Sequence, residues 1–185
     1  MKTTTWLWLY KLLGRLSALP PEVRFSADEP PPRRLLFLFP TDADRFKVSL
    51  RVFHHLERYP DGEAIHLAVP INFQDQIPAS NHGVFYFPLT RDKTPTVDVA
   101  VLRARYQDES FDAVVNLDPE LTRHMARVIH GINAPKRIGF SVPGADDIYN
   151  IQIDPEEPDL LDGSYDQMLA ICDLGTPKEP ELVET

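Results

Sequence analysis

The stretch that most narrows the fold is 35-LLFLF-39, five apolar residues in succession closed by Pro40. A strand with one face in water alternates polar and apolar residues. A run with no polar member has to be covered on both faces, as the central strands of a parallel sheet are. Comparable runs recur at 64-AIHLAV-69, closed by Pro70, at 83-GVFYF-87, at 112-DAVVNL-117 and at 136-KRIGF-140.

Between these runs the period changes. Residues 44–58 place Phe46, Leu50, Phe53 and Leu56 on one helical face, stopped by 60-PDG-62. A short turn or helix is expected around 71-INFQDQI-77, and 96-TVDVAVLRARYQ-107 has helical spacing despite its β-branched content. In 120-ELTRHMARVIHGI-132 the apolar face is Leu121, Met125, Val128 and Ile132, with Gly131 near the end. The segment 143-PGADD-147 reads as a turn, 148-IYNIQI-153 as an edge strand, and 164-SYDQMLAICDLG-175 as a helix facing inward through Tyr165, Met168, Leu169 and Cys172. Strands alternating with helices across short connections predict an α/β fold: a three-layer Rossmann-like domain over residues 35–175, with a mostly parallel sheet of about five or six strands.

A chain of 185 residues fits one such domain. Ahead of it, 5-TWLWLYKLLGRLSAL-19 has the spacing of an amphipathic helix, and 20-PPEVRFSADEPPPRR-34 is a Pro-rich linker, so residues 1–34 form a separate unit. Residues 176–185 are a polar, acidic tail. Ten of the 28 acidic residues fall at 154–185 beside Lys178 alone, while the rest of the chain is balanced in charge. Nucleic acid is therefore not an expected partner, since that requires a net basic footprint. One cysteine makes no internal disulfide, which fits a reducing, cytoplasmic setting. The helix bearing Trp6 and Trp8 has two readings: packing on the body or a protein partner, including a second copy, and peripheral contact with the inner face of a membrane.

The ordered set 59-YPDG-62, 112-DAVVNLD-118 and 137-RIGF-140, set around the first strand and its helix, resembles the amino-terminal half of the heptosyltransferase-type glycosyltransferases of glycosyltransferase family 9. These are GT-B enzymes with two Rossmann-like domains. The resemblance spans about residues 35–175 and is thin between 71 and 110. It implies a domain that shapes the acceptor side and supplies a proposed base, the sugar-nucleotide donor being held mainly by a second domain. It also implies a sugar or lipid-linked sugar as ligand and a place in envelope polysaccharide metabolism. Because transfer needs donor and acceptor held together, the chain is expected to act as a carbohydrate-binding or partner subunit. Two alternatives are an interaction protein that kept the fold and lost the site, and a half-enzyme completed by a separate nucleotide-sugar-binding chain.

By that resemblance the base falls on Asp44, with Ala43 where the family has glycine. A carboxylate there can take a proton from an acceptor hydroxyl; Asp44 or Asp42 can equally cap the helix. In doubly wound sheets the crevice lies beyond the carboxyl ends of the strands. That rule brings in Thr41 and Asp42 after the first strand and Asn116 and Asp118 after the fourth; Lys47 and Arg51, on the first helix, either attract a phosphate or sugar-acid group near its positive amino end or belong to a solvated face. Asp146, Asp147 and Tyr149 are candidate contacts at the rim. Asp118 also has the alternative of capping the helix near Glu120. No metal site is expected: His54 and His55 diverge on a helix, and His124 and His130 are six apart. No Gly-rich phosphate loop follows any strand, so no cofactor is expected.

Overall fold

The computed structural model describes residues 5, 32–59, 64–78, 80–90, 96–155 and 161–175. The expected amphipathic helix beyond Thr5, the linker up to residue 31, the 60-PDG-62 turn and the acidic tail lie outside them. The described chain folds as six parallel strands with helices on both faces. The strands are β1 (Leu35–Leu38), β2 (Ile65–Pro70), β3 (Gly83–Phe87), β4 (Ala113–Asn116), β5 (Lys136–Phe140) and β6 (Ile151–Ile153). The helices are α1 (Ala43–Leu56), α2 (Val99–Tyr106), α3 (Arg123–Gly131) and α4 (Asp162–Ile171). The strand order is β3-β2-β1-β4-β5-β6, with every pair parallel. This is the three-layer, Rossmann-like α/β architecture that the apolar runs predict.

The alternation within β1 explains why it has no polar residue. Leu35, Phe37 and Phe39 join the cluster holding Phe46, Val52 and Phe53 of α1 and Tyr165, Met168 and Leu169 of α4. Leu36 and Leu38 join the opposite cluster, with Leu102 and Tyr106 of α2 and Met125, Val128 and Ile129 of α3. Burying a large apolar side chain contributes about 1.5–3 kcal/mol, so both faces of β1 are needed to hold the layers together. The β2–β3 connection is a 3-10 segment, Ile71–Gln76, whose Phe73 stacks on Phe46 with ring centroids 4.1 Å apart.

Several boundaries differ from expectation: the first helix, expected over 44–58, is Ala43–Leu56, the last, expected over 164–175, is Asp162–Ile171, and three other differences have a visible local cause. The helix expected from residue 96 starts at Val99, because Val97 bridges Leu89 and Asp98 caps the helix through Ala100 N and Val101 N. The helix expected from Glu120 starts at Arg123, where the Thr122 hydroxyl accepts from Met125 N. The edge strand expected over 148–153 is confined to Ile151–Ile153, after a 3-10 turn at Ala145–Asp147 entered through Gly144 at φ 89°. Just ahead of β6 the Asn150 carboxamide continues the ladder. It accepts from Arg137 N at 2.8 Å and donates to Pro135 O at 2.7 Å.

Candidate functional site

The sheet order reverses between β1 and β4, so the crevice of this fold opens where those two strands end. The loop after β1 is 39-FPTD-42, and the loop after β4 is 117-LDPEL-121. They are joined at their roots by a Leu117 N to Leu38 O bond of 3.0 Å.

Asp118 is the central group. It is 3% exposed, although a carboxylate is seldom buried without partners. Its Oδ1 accepts from Glu120 N at 2.9 Å and from Arg45 Nη1 at 3.2 Å, and the same Arg45 nitrogen reaches Glu120 Oε2 at 2.7 Å. Arg45 stands in the first turn of α1, so α1 and the β4–α3 loop are tied by one cation between two carboxylates. Burial pushes the Asp118 carboxyl up to about 6, against the downward pull of the Glu120 amide and the Arg45 charge. Burial would lower Arg45, but its hydrogen bond to Glu120 and the charges of Asp118 and Glu120 outweigh it and raise the guanidinium further. Both of these hydrogen bonds to the Asp118 carboxylate fall on Oδ1. A carboxyl titrating near 6 can accept or donate a proton close to neutral pH.

Behind Asp118 lies a buried support. Asn116 donates through Nδ2 to Asp118 O at 3.1 Å and to the Tyr149 hydroxyl at 2.8 Å, and its Oδ1 accepts from Asp118 N at 3.4 Å. Tyr149 lies flat against β5 at Gly139, and burial holds its phenol neutral, well above its usual range. Tyr165 of α4 donates to Leu117 O at 2.9 Å. The backbone around Asp118 is thus fixed from both layers. Asn116 and Tyr149 are spent on that fixing, with their polar atoms turned to protein groups.

The remaining expected residues occupy the rim. Asp42 caps α1, its Oδ1 accepting from Asp44 N and Arg45 N at 3.1 Å each. The capping role weighed for Asp44 or Asp42 therefore belongs to Asp42. Asp44 points outward, its side chain 93% exposed and 3.6 Å from Lys47 Nζ. Thr41 is half-buried beside it. The capping role weighed for Asp118 falls instead to Thr122, while Asp118 closes a tight turn onto Glu120 N. Asp146 is exposed and accepts from Gln152 at 2.8 Å, and Asp147 is half-buried next to it, both in the loop beyond β5. Arg51 faces α4, pairing with Asp162 and Asp166.

Two residues of this site, Arg45 and Glu120, carry no local signal that singles them out. Arg45 is separated from Asp118 by 73 positions, and only the switch in strand order brings the head of α1 against the β4–α3 loop. Among the described residues no group of three His, Cys, Asp or Glu side chains is arranged to hold a metal ion, and no helix is long and apolar enough to cross a membrane. No family model, curated protein or solved structure matches the chain.

Proposed function

We propose that this domain binds carbohydrate in the crevice over β1 and β4, as the acceptor-side domain of a glycosyltransferase-like protein. The observation that carries the reading is the buried Asp118 carboxylate at the switch point, oriented by Arg45 and Glu120. A fixed carboxylate beside a guanidinium is a pair suited to sugar hydroxyls, which donate to the one and accept from the other. The ordered motifs at 112-DAVVNLD-118 and 137-RIGF-140 support the same ancestry. On this reading the domain positions an acceptor, and transfer requires a nucleotide-sugar-binding unit, whether in the same chain or another. Asp44, at the rim, is the candidate base, and Asp118 the main binding group.

The test is ligand-observed NMR with hexoses, heptoses and short oligosaccharides against the wild type and Asp118→Asn. Saturable binding that the substitution weakens supports the reading. Absence of binding to every sugar overturns it. One observation favours a second reading, an interaction protein that kept the fold: Asn116, at the root of the crevice, is fully engaged by protein groups. In that case Asp118→Asn alters stability and leaves ligand binding undetected in both proteins.

A further inference from the structure

The sheet ends on one side at β3, which among the described residues pairs with β2 alone. No other backbone hydrogen bond between those residues reaches Gly83–Phe87, and the bridge from Leu89 to Val97 comes only after Pro88. Half of the backbone N–H and C=O groups of β3 therefore point away from β2. Border strands are commonly shielded by charge, an internal proline, a bulge or brevity. β3 lacks the first of these altogether: from Gln76 to Thr90 the sequence holds no Asp, Glu, Lys or Arg, in a chain that is 25% charged. Val84, Phe85 and Tyr86 are half-buried where β1 is enclosed throughout. Ile71, the more exposed of the two large apolar side chains that stand out in solvent, follows Pro70, which is in register with Phe87. The strand is pinned from behind: the Phe85 ring meets Tyr106 edge-on at 5.9 Å, and the Arg105 guanidinium lies 5.9 Å from its centroid.

We infer that β3 is the surface through which two copies of this chain associate, their β3 strands pairing antiparallel about a two-fold axis at Phe85. Outward backbone groups are matched by those of another strand, and two identical strands in antiparallel are complementary to each other. About that axis Phe85 falls opposite its own counterpart and Val84 opposite Tyr86. These are the aromatic–aromatic and aromatic–β-branched pairs that stabilise neighbouring strands. Charge selects the same occupant. An acidic or basic partner finds no countercharge along 76–90. Two copies, each with a formal net charge of -9, repel one another, and this charge-free border lets them meet with no like charges opposed. The pairing uses up the border in both copies, so the assembly closes at the dimer. Because β2 separates β3 from β1, the crevice over β1 and β4 stays open, and the inference is independent of the carbohydrate-binding reading.

The experiment is sedimentation equilibrium of the full chain across a range of concentrations, with amide hydrogen exchange of residues 83–87 followed at the lowest and the highest. We expect a reversible dimer, and β3 amides that exchange at least about tenfold more slowly where the dimer is populated. Tyr86→Lys sets an ammonium on the border and should weaken dimerisation at least about tenfold, with circular dichroism confirming that the variant is folded. The exchange measurement needs no substitution, so it decides even where that variant does not fold. A wild type that is monomeric at every concentration overturns the inference. So does a folded Tyr86→Lys protein that dimerises as the wild type does, or a dimer whose β3 exchange equals that of the monomer, since it is built on another surface. Protection of β3 that is independent of concentration also overturns it, by assigning the border to a segment of the same chain.

Discussion

The ring of Tyr149 lies where a side chain on Gly139 would have to go: a Cβ at that position would sit within 2.6 Å of ring carbons Cζ, Cε1 and Cε2. The glycine in 137-RIGF-140 is thus a receptor for a tyrosine, and that tyrosine's hydroxyl supports Asn116 beneath the candidate site. We predict that Gly139→Ala costs about 1–3 kcal/mol through overpacking of a core with no slack. The check is urea unfolding, where the midpoint should fall while the denaturant slope is unchanged. A stability equal to wild type would show that the ring can move.

Tyr149→Phe removes a hydroxyl from a fully enclosed position and leaves an Asn116 N–H without its acceptor. The expected loss is about 1–3 kcal/mol. Combined with Asn116→Ala the effects should fall short of their sum, since the two substitutions share the loss of one bond. A double-mutant cycle by chemical denaturation reads the coupling.

The buried Asp118 predicts a pH dependence of definite sign. Its folded value, about 6, lies above the 3.8 of the free side chain, so between those values the folded chain holds more protons than the unfolded one. Its contribution is therefore most favourable below the unfolded value and is lost as pH rises through the folded one. The stability of wild type relative to Asp118→Asn should fall from about pH 4 to about pH 6 and then level off. Urea midpoints of the two proteins across that range, with the Asp118 carboxyl followed by carbon-13 NMR, check it. A difference rising with pH would contradict the assignment.

Arg45 offsets part of that penalty. Arg45→Met should raise the Asp118 titration further and destabilise the fold more at pH 8, where the carboxylate is charged, than at pH 5. The loss at pH 8 is expected to be about 2 kcal/mol, the scale of a hydrogen bond to a charged group. Equal losses at both pH values would mean that the guanidinium contributes by packing alone.

Cys172 is buried at the C-cap of α4, and burial pushes its thiol up to about 12. In the native protein at pH 8 it should react with a disulfide reagent far more slowly than a free thiol, and at a rate that rises with urea as the core opens. Prompt native labelling would contradict the packing of α4.

The fold was legible because burial on both faces leaves a local trace. The run at 35–39 needs no long-range information to be read as a covered strand, and the faces of α1, α3 and α4 follow from spacing alone. Helix starts were less legible: Asp98 and Thr122 compete with neighbouring polar residues, and the choice depends on where the preceding loop is pinned. The site was half legible. Asn116 and Asp118 follow from the crevice rule, but whether each meets solvent or protein depends on Tyr149, which arrives from another layer. Arg45 has an unremarkable place in an amphipathic helix; its role exists only through a contact across the switch point.

The Asn150 carboxamide has a consequence for the molecule's behaviour in company. By bonding Arg137 N and Pro135 O it occupies the backbone positions at which a foreign strand would dock beside β5. Asn150 thus extends the cover of β5 ahead of β6, the strand that forms the outer border, so the stretch of β5 that this short edge strand leaves uncovered is not open to pairing with a foreign strand.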